Sequence, residues 1–571
     1  MANNRALLLC TVVGVGFLVV VLRLADLMLL NHARLAEKAR MQQYSSKEVT
    51  VHRGIIYDRR GRELAVNVDA VSIGCRADEL EDPSAAAGAL ATALGRSKSE
   101  MLKEIKKRNR FFWVERKTEI NRDDIQKLSE IKGIEVFNEP KRYYPKGSLG
   151  SHVIGIVGVD NQPLEGVELK YDSKIRGEEL NVVVSRDVTG LTLSSGMDVD
   201  AGGNNVILSI DEGLQYIVER ALAKGLKEFS AASGLAVVMD PYTGEILAMA
   251  NHPDYDLNRP GEFSMNARRN RSITDPYEPG STFKLVTATA ALEEKVAGMG
   301  TRVDVSDGYI TVAGKRIYDT SKKGVITFED VIKLSSNVGT IKIAQRIKKE
   351  ALYKYVKAFG FGQKTGIDLP GEAAGLVRPP SQWSETSYAA LSIGYEVAAT
   401  PIQVLRAYAA VANGGYLVKP HVVSEVVSPE GNVIYSFDKT QVERVMDSST
   451  ALSLRKAFVS VTEEGGTATH ASIDGNLVAG KTGTTRLLDP ATGKYSKEKY
   501  ASSFVGFVPA EKPALAMIVV VFEPKGKVYY GGYVAAPVFK SIADQALSYM
   551  NVPREDTIKN NLLLVHSTQR F

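Results

Sequence analysis

Pro279-Gly280-Ser281-Thr282-Phe283-Lys284 is the stretch on which the reading of this 571-residue chain turns. It sets a hydroxyl and an amine three residues apart at what reads as a helix start, and residues so spaced share one face of a helix. A serine hydroxyl is a weak nucleophile near neutral pH and needs an adjacent base. A lysine can serve once burial lowers its pKa. Phe283, Leu285, Val286, Ala288, Ala290, Ala291 and Leu292 make the following segment apolar almost all round, which predicts a buried helix and a desolvated Lys284. Two fixed positions in four recur by chance, so the pair carries weight only in company.

Company lies downstream. Ser335-Ser336-Asn337 supplies an S-x-N, and Lys481-Thr482-Gly483-Thr484 supplies a K-T-G. Each has a plain structural reading: a serine capping a helix, or an ordinary edge strand. In this order, however, serine nucleophile, S-x-N and K-T-G resemble the penicillin-recognising signature shared by penicillin-binding proteins and serine β-lactamases.

Working outward, the length allows two to four domains. The chain is 44% hydrophobic and 24% charged, as globular proteins are, and its 71 basic and 66 acidic residues leave a net charge of only +5. That balance implies no nucleic-acid partner, and the basic run Lys103 to Arg110 reads as a solvated helix face. Cys10 and Cys75 lie far apart, so no disulfide is expected and cysteine usage leaves the redox compartment open. The seven histidines show no paired-ligand spacing, and neither a metal nor any other cofactor is expected. Ala6 to Leu22 carries no charge. At ~1.5 Å per residue it falls just short of a bilayer core, and Leu27 to Leu30 could extend it if Arg23 snorkels. An uncleaved membrane anchor is expected, with a buried core helix as the competing reading. Basic residues are denser after the span than before it, but long domains translocate largely regardless of such counts.

Asn31 to Lys47 is polar and reads as a helical stalk. From Val51 to about Asn205 short strands mix with helices such as Pro83 to Leu94 and Lys98 to Lys107, followed by a strand at Val206 to Asp211 and a helix over Gly213 to Phe229. Leu235 to Met239 and Ile246 to Ala250 flank the turn signal Asp240-Pro241-Tyr242-Thr243-Gly244. Helices are predicted at Phe328 to Lys348, Glu350 to Phe359 and Thr400 to Asn413, and strands at Leu477 to Thr484, Ser502 to Val508 and Leu515 to Phe522. Helices between terminal strands predict α+β, the sheet closed by its first and last segments. The tail from about Val552 is weakly patterned.

Nearly the whole chain resembles a class B, monofunctional penicillin-binding protein. Arg53-Gly54-Ile55-Ile56-Tyr57-Asp58-Arg59 is similar to the opening motif of that family's pedestal, and Arg142-Tyr143-Tyr144-Pro145, His152-Val153-Ile154-Gly155 and Gly166-Val167-Glu168 to its later ones. For all four the structural reading, turns and ion pairs in a rigid spacer, is preferred. Ser392-Ile393-Gly394-Tyr395-Glu396, and Tyr529-Tyr530-Gly531-Gly532 with Ala536-Pro537-Val538-Phe539, favour the division-specific FtsI type over the elongation type. The implied architecture is multidomain α+β: a cytoplasmic tip and transmembrane anchor (1–30), a juxtamembrane stalk (31–48), an extended dimerisation-type pedestal (49–230), a transpeptidase domain with an antiparallel sheet flanked by helices (231–550) and a tail (551–571).

The resemblance implies acyl transfer between peptidoglycan stem peptides. Ser281 would attack the D-alanyl-D-alanine carbonyl, with Lys284 as its base. Ser335, on its own helix, would relay the proton, and Asn337 would orient Lys284 and the substrate amide. Lys481, Thr482 and Gly483 would form an edge strand that pairs with extended substrate, Lys481 and Thr482 contacting its carboxylate. Gly483 would leave room for the substrate to approach. The N–H groups of Ser281 and Thr484 would make the oxyanion hole. The implied partners are stem peptides, β-lactams as covalent inhibitors, the membrane, and a lipid-linked glycan polymerase with other division proteins. The implied place is the cytoplasmic membrane, with the catalytic domain outside. An elongation-type enzyme, a D,D-carboxypeptidase and a β-lactamase-like hydrolase stay open as alternatives.

Overall fold

The computed structural model describes residues 2–35, 38, 44–49, 52–177, 180–186, 192–193, 202–440, 442–489 and 492–554. They divide into two compact units, residues 1–53 with 176–203, and residues 54–175 with 204–571. The expected tail falls almost wholly outside the described residues.

In the first unit the apolar run forms a helix over Ala2–Ala25, continued by a π-helical turn at Asp26–Leu30. The 24 residues Leu7–Leu30, with a mean hydropathy of 2.6, reach ~36 Å, long and apolar enough to cross a membrane. Arg23 and Asp26 do not end the span, because their side chains pair at 2.6 Å along the same helix face. Of the stalk predicted to be helical, Tyr44–Val49 is instead a strand, paired antiparallel with Leu180–Arg186, which pairs in turn with Thr192–Leu193. A ladder partner remote in sequence overrides local helix propensity there.

In the second unit, the 14-residue strand Glu63–Arg76 pairs with Ile134–Tyr143 along one edge and Phe111–Thr118 along the other. Helices Pro83–Leu94, Lys98–Lys106 and Arg122–Ser129 enclose a small core of Ile73, Cys75, Leu90, Met101 and Leu128. The first of these helices has the ends its sequence announces: Asp82 caps it through Ser84 N–H, and Gly95 closes it in the left-handed region. Burial pushes the free Cys75 thiol up to about 11, which makes it inert. Ile56–Tyr57 joins Glu63–Arg76 to Asn205–Leu208, and that strand pairs with Val423–Val427, so one seven-stranded sheet ties the pedestal to the catalytic region. The pedestal motifs are structural as read. Arg142 donates to Glu168 at 2.6 Å with both side chains buried, and Asp58 accepts from the N–H groups of Arg60 and Arg62.

Strands β1 (Ser233–Met239) and β2 (Ile246–His252) form the predicted hairpin, its turn held by Asp240 accepting from Tyr242 N–H. With β3 (Ala479–Leu488), β4 (Tyr495–Val508) and β5 (Leu515–Phe522) they make an antiparallel sheet in the order β2-β1-β5-β4-β3. The first segment therefore closes onto the last. Around it lie α1 (Lys284–Glu293), α2 (Phe328–Lys333), α3 (Asn337–Ala344), α4 (Glu385–Ser392), α5 (Pro401–Ala412) and α6 (Gly531–Tyr549). Helix α6 packs on one face together with helix Glu212–Glu228, and α5 packs on the other. The Glu212–Glu228 helix, grouped with the pedestal on sequence, thus packs on β1, β2 and α6.

Candidate active site

Gly280–Phe283 is a short 3-10 turn whose Ser281 carbonyl accepts the N–H of Lys284, the first residue of α1. The turn is pinned from below by Gly280 N–H donating to Gly394 O at 3.0 Å. Gly394 has φ +85°, and a Cβ there would collide with the Gly280 carbonyl, so only glycine allows this approach. Ser281 is half-buried, while Lys284 is 3% exposed. Every residue from Lys284 to Ala291 is buried, as the apolar pattern predicts. The Lys284 amine donates to Ser335 O at 2.6 Å and Asn337 Oδ1 at 2.8 Å, and lies 3.4 Å from Ser335 Oγ. Burial, reinforced by the positive charge of Lys481, holds its pKa well below the usual lysine range, and the Asp319 carboxylate partly opposes them.

Ser335 does not sit on a helix. The single helix predicted over Phe328 to Lys348 is broken, and Ser335 occupies the break between α2 and α3 at φ +57°. The left-handed residue turns its carbonyl onto Lys284. Ser336 takes the capping role, accepting from Gly339 N–H at 2.8 Å. Asp319 takes up the rest of the turn. It accepts from Ser336 Oγ at 2.6 Å, Asn337 N–H at 2.5 Å and Val338 N–H at 3.0 Å. Sequence reasoning misses this residue, because nothing local links it to a motif that begins 16 positions later.

The K-T-G segment lies on β3, the terminal strand of the sheet, as expected of a strand left free to pair with a ligand. Side chains alternate across it. Thr484 faces α6, where its Oγ1 accepts from Gly531 N–H at 2.9 Å. Thr482 Oγ1 lies 3.3 Å from Thr467 Oγ1 and 3.4 Å from the Lys481 amine. Lys481 is fully buried, which lowers its pKa to about 7. A Cβ on Gly483 would strike Ser503 Oγ, the Pro279 carbonyl and the Thr282 methyl, so the missing side chain lets the strand pack on the turn that carries Ser281. A Cβ on Gly280 would meet Thr485 in the same way. The two elements proposed to supply oxyanion donors are therefore in direct contact.

Three residues N-terminal to Ser281, Glu278 accepts from Glu396 N–H at 2.9 Å and Tyr495 Oη–H at 3.0 Å. Burial raises its pKa, despite those hydrogen bonds. Among the described residues no cluster of three or more His, Cys, Asp or Glu side chains could hold a metal ion. Ser281, Lys284, Ser335 and Asn337 are thus brought together with Lys481, Gly483 and Thr484 from β3.

Comparison with known proteins places this geometry. Residues 234–544 match the family described as penicillin binding protein transpeptidase domain, and residues 48–208 the penicillin-binding protein dimerisation domain. Stage V sporulation protein D of Bacillus subtilis is 33% identical over 557 residues, covering 95% of this chain and 85% of its own. Peptidoglycan D,D-transpeptidase FtsI of Escherichia coli K12 is 33% identical over 556 residues, covering 96% and 92%. The crystal structure of penicillin binding protein 3 from Mycobacterium tuberculosis complexed with aztreonam superposes with a TM-score of 0.69 at 28% identity, covering 89% of this chain and 98% of that one. With both domain matches in register and full-length relatives at this identity, the chain belongs to the penicillin-binding protein transpeptidase family, of the class that carries a dimerisation module ahead of the catalytic domain.

Proposed function

We propose that this protein is a serine-type peptidoglycan D,D-transpeptidase that cross-links stem peptides and is acylated by β-lactams. The observation that carries the reading is a buried amine one turn after Ser281, hydrogen-bonded to both Ser335 and Asn337. Ser281 Oγ attacks the carbonyl between the terminal D-alanines, and its proton passes to Lys284. The tetrahedral oxyanion is held by the N–H groups of Ser281 and Thr484, each such donor contributing about 3–4 kcal/mol in the transition state. Ser335 hands a proton to the departing D-alanine amine, which leaves the acyl group on Ser281. An amine of a second stem peptide then attacks that ester, loses a proton through the same relay and frees Ser281. Lys481 and Thr482 take the substrate carboxylate, and the backbone of β3 pairs with the extended donor peptide.

The N-terminal span anchors the chain in the cytoplasmic membrane, and the catalytic domain works on the outer side, where the stem peptides are. The likeness to a transpeptidase named FtsI supports septal work, beside a polymerase of lipid-linked glycan strands. Labelling with a fluorescent penicillin tests the chemistry: S281A is expected to lose the covalent adduct while keeping its unfolding transition. Stoichiometric labelling of that variant would refute the nucleophile assignment. An adduct lasting seconds or less in the parent would mark a hydrolase instead. A fluorescent fusion confined to the lateral wall of dividing cells would overturn the septal role.

A further inference from the structure

We infer that Asp319 is a positioning residue for this acyl transfer, its carboxylate fixing the Ser335–Asn337 turn and, through that turn, the Lys284 amine. The inference rests on the proposed function and goes beyond its residue set. Asp319 stands at the end of the hairpin formed by Tyr309–Val312 and Lys315–Tyr318, with its own N–H bound to Gly308 O at 2.9 Å. The hairpin is seated against the helices by Val312, which packs with Ile341 of α3, Ala389 of α4 and Ile393. The carboxylate is therefore delivered by a framed element, not by a free loop.

Its three hydrogen bonds all go to the residues that make the turn. Oδ2 accepts from Ser336 Oγ, and Oδ1 accepts the N–H groups of Asn337 and Val338, donors that helix α3 leaves without partners of its own. Asn337 is tied a second time to the hairpin through Nδ2, which donates to Tyr318 O at 3.1 Å. Its Oδ1 meanwhile accepts from Lys284. A shift of the turn would move both acceptors of the amine, Ser335 O and Asn337 Oδ1, at once. Ser336 already caps α3 locally, so the clasp adds placement more than helix formation.

Asp319 acts by charge as well as by geometry. Two charged groups act on Lys284, Lys481 from β3 and Asp319 from the hairpin, whereas Ser335 and Asn337 are neutral. Lys481 disfavours the protonated amine and Asp319 favours it. Removing the Asp319 charge thus lowers the Lys284 pKa and enlarges the neutral fraction at low pH.

Two variants of the full chain, assayed for the rate of acylation by fluorescent penicillin against pH, separate the two effects. D319A removes the clasp and is expected to acylate about 100-fold more slowly, the order of loss that a misplacement near 1 Å brings. D319N keeps an oxygen for the backbone N–H groups and is expected to lose less, about 10-fold, while the acid limb of its profile moves to lower pH. A purely structural role would not move that limb. D319A acylating within about threefold of the parent, less than any misplacement of that order allows, overturns the inference, as does a D319N limb that stays or moves upward. If D319A does not fold, the D319N limb alone decides. Parent labelling that survives S281A overturns the underlying mechanism as well. Ser281-dependent labelling with Asp319 variants indistinguishable from the parent overturns this inference alone.

Discussion

Gly483→Ala separates two reasons for a glycine in the K-T-G strand, and the two predict opposite signs. If the glycine only clears a path for substrate, alanine in a strand should leave stability unchanged or raise it by about 0.5–1 kcal/mol, because glycine loses more conformational entropy on folding. The structure argues otherwise. The added methyl would meet Ser503 Oγ, which can rotate away, but also the Pro279 carbonyl at 3.0 Å and the Thr282 Cγ2 at 3.1 Å, and the carbonyl belongs to the turn carrying Ser281. Overpacking of this kind costs about 1–3 kcal/mol. Set against the entropy gain, the net is a loss of about 1–2 kcal/mol, or about 2–3 °C in the unfolding of a catalytic domain of this size. Acylation should slow as well, because the methyl relieves its contact by pushing β3 and the nucleophile turn apart. Thermal unfolding of the detergent-solubilised chain, with penicillin acylation measured beside it, reads both. Adding S503A removes the nearest contact and should restore part of the melting temperature. A G483A variant that melts at or above the parent while losing acylation would refute the packing account and restore the substrate-clearance one.

Lys481 gives a pH signature. Its folded pKa of about 7 lies below the unfolded value near 10.4, so between these the unfolded state binds more protons and stability rises with pH. The parent should therefore gain about 2–3 kcal/mol relative to K481M between pH 7 and pH 9, and equal slopes in chemical unfolding would contradict the burial argument. In the pedestal, Arg142→Ala removes a buried charged hydrogen bond to Glu168 and should cost about 1.5–3 kcal/mol in urea unfolding, whereas a loss under about 0.5 kcal/mol would mean that the pair adds nothing net.

What the sequence makes legible is what short-range chemistry decides. Lys284 is recognisably buried because the seven residues after it are apolar or small, and β1 and β5 are recognisable by their apolar runs, whereas β3 is recognisable by its K-T-G. The helix Pro83–Leu94 carries its own caps. The failures lie where distant contacts take part. Phe328 to Lys348 reads as one helix although Ser336 caps a second one locally, and the turn at the break is held by Asp319 from a separate hairpin. Tyr44–Val49 becomes a strand because Leu180–Arg186 pairs with it. The contacts of Gly483 with Pro279 and Ser503 are equally hidden, since neither is adjacent to it in the chain. Ser335 looks helical, yet it adopts a left-handed conformation that only the surrounding contacts enforce.

Why position 337 should be an amide follows from the hydrogen-bond capacity of the amine it faces. A protonated lysine offers three donors and no acceptor. Deprotonated, it offers two donors and one lone pair. Ser335 O at 2.6 Å and Asn337 Oδ1 at 2.8 Å account for two donors, and the remaining direction meets hydroxyl oxygen, with Ser335 Oγ at 3.4 Å. A carboxylate at position 337 would bind the amine equally well but would hold the third proton on it, because an opposite charge at that distance favours the charged form. The amide satisfies the donor and leaves the proton less secure. Asp319, the carboxylate this site does contain, is turned onto backbone N–H groups and a serine, where it orders the turn from outside the hydrogen-bonding shell of Lys284. Burial and Lys481 then outweigh it, so the Lys284 pKa stays well below the usual lysine range, the direction that a base for a neighbouring hydroxyl requires.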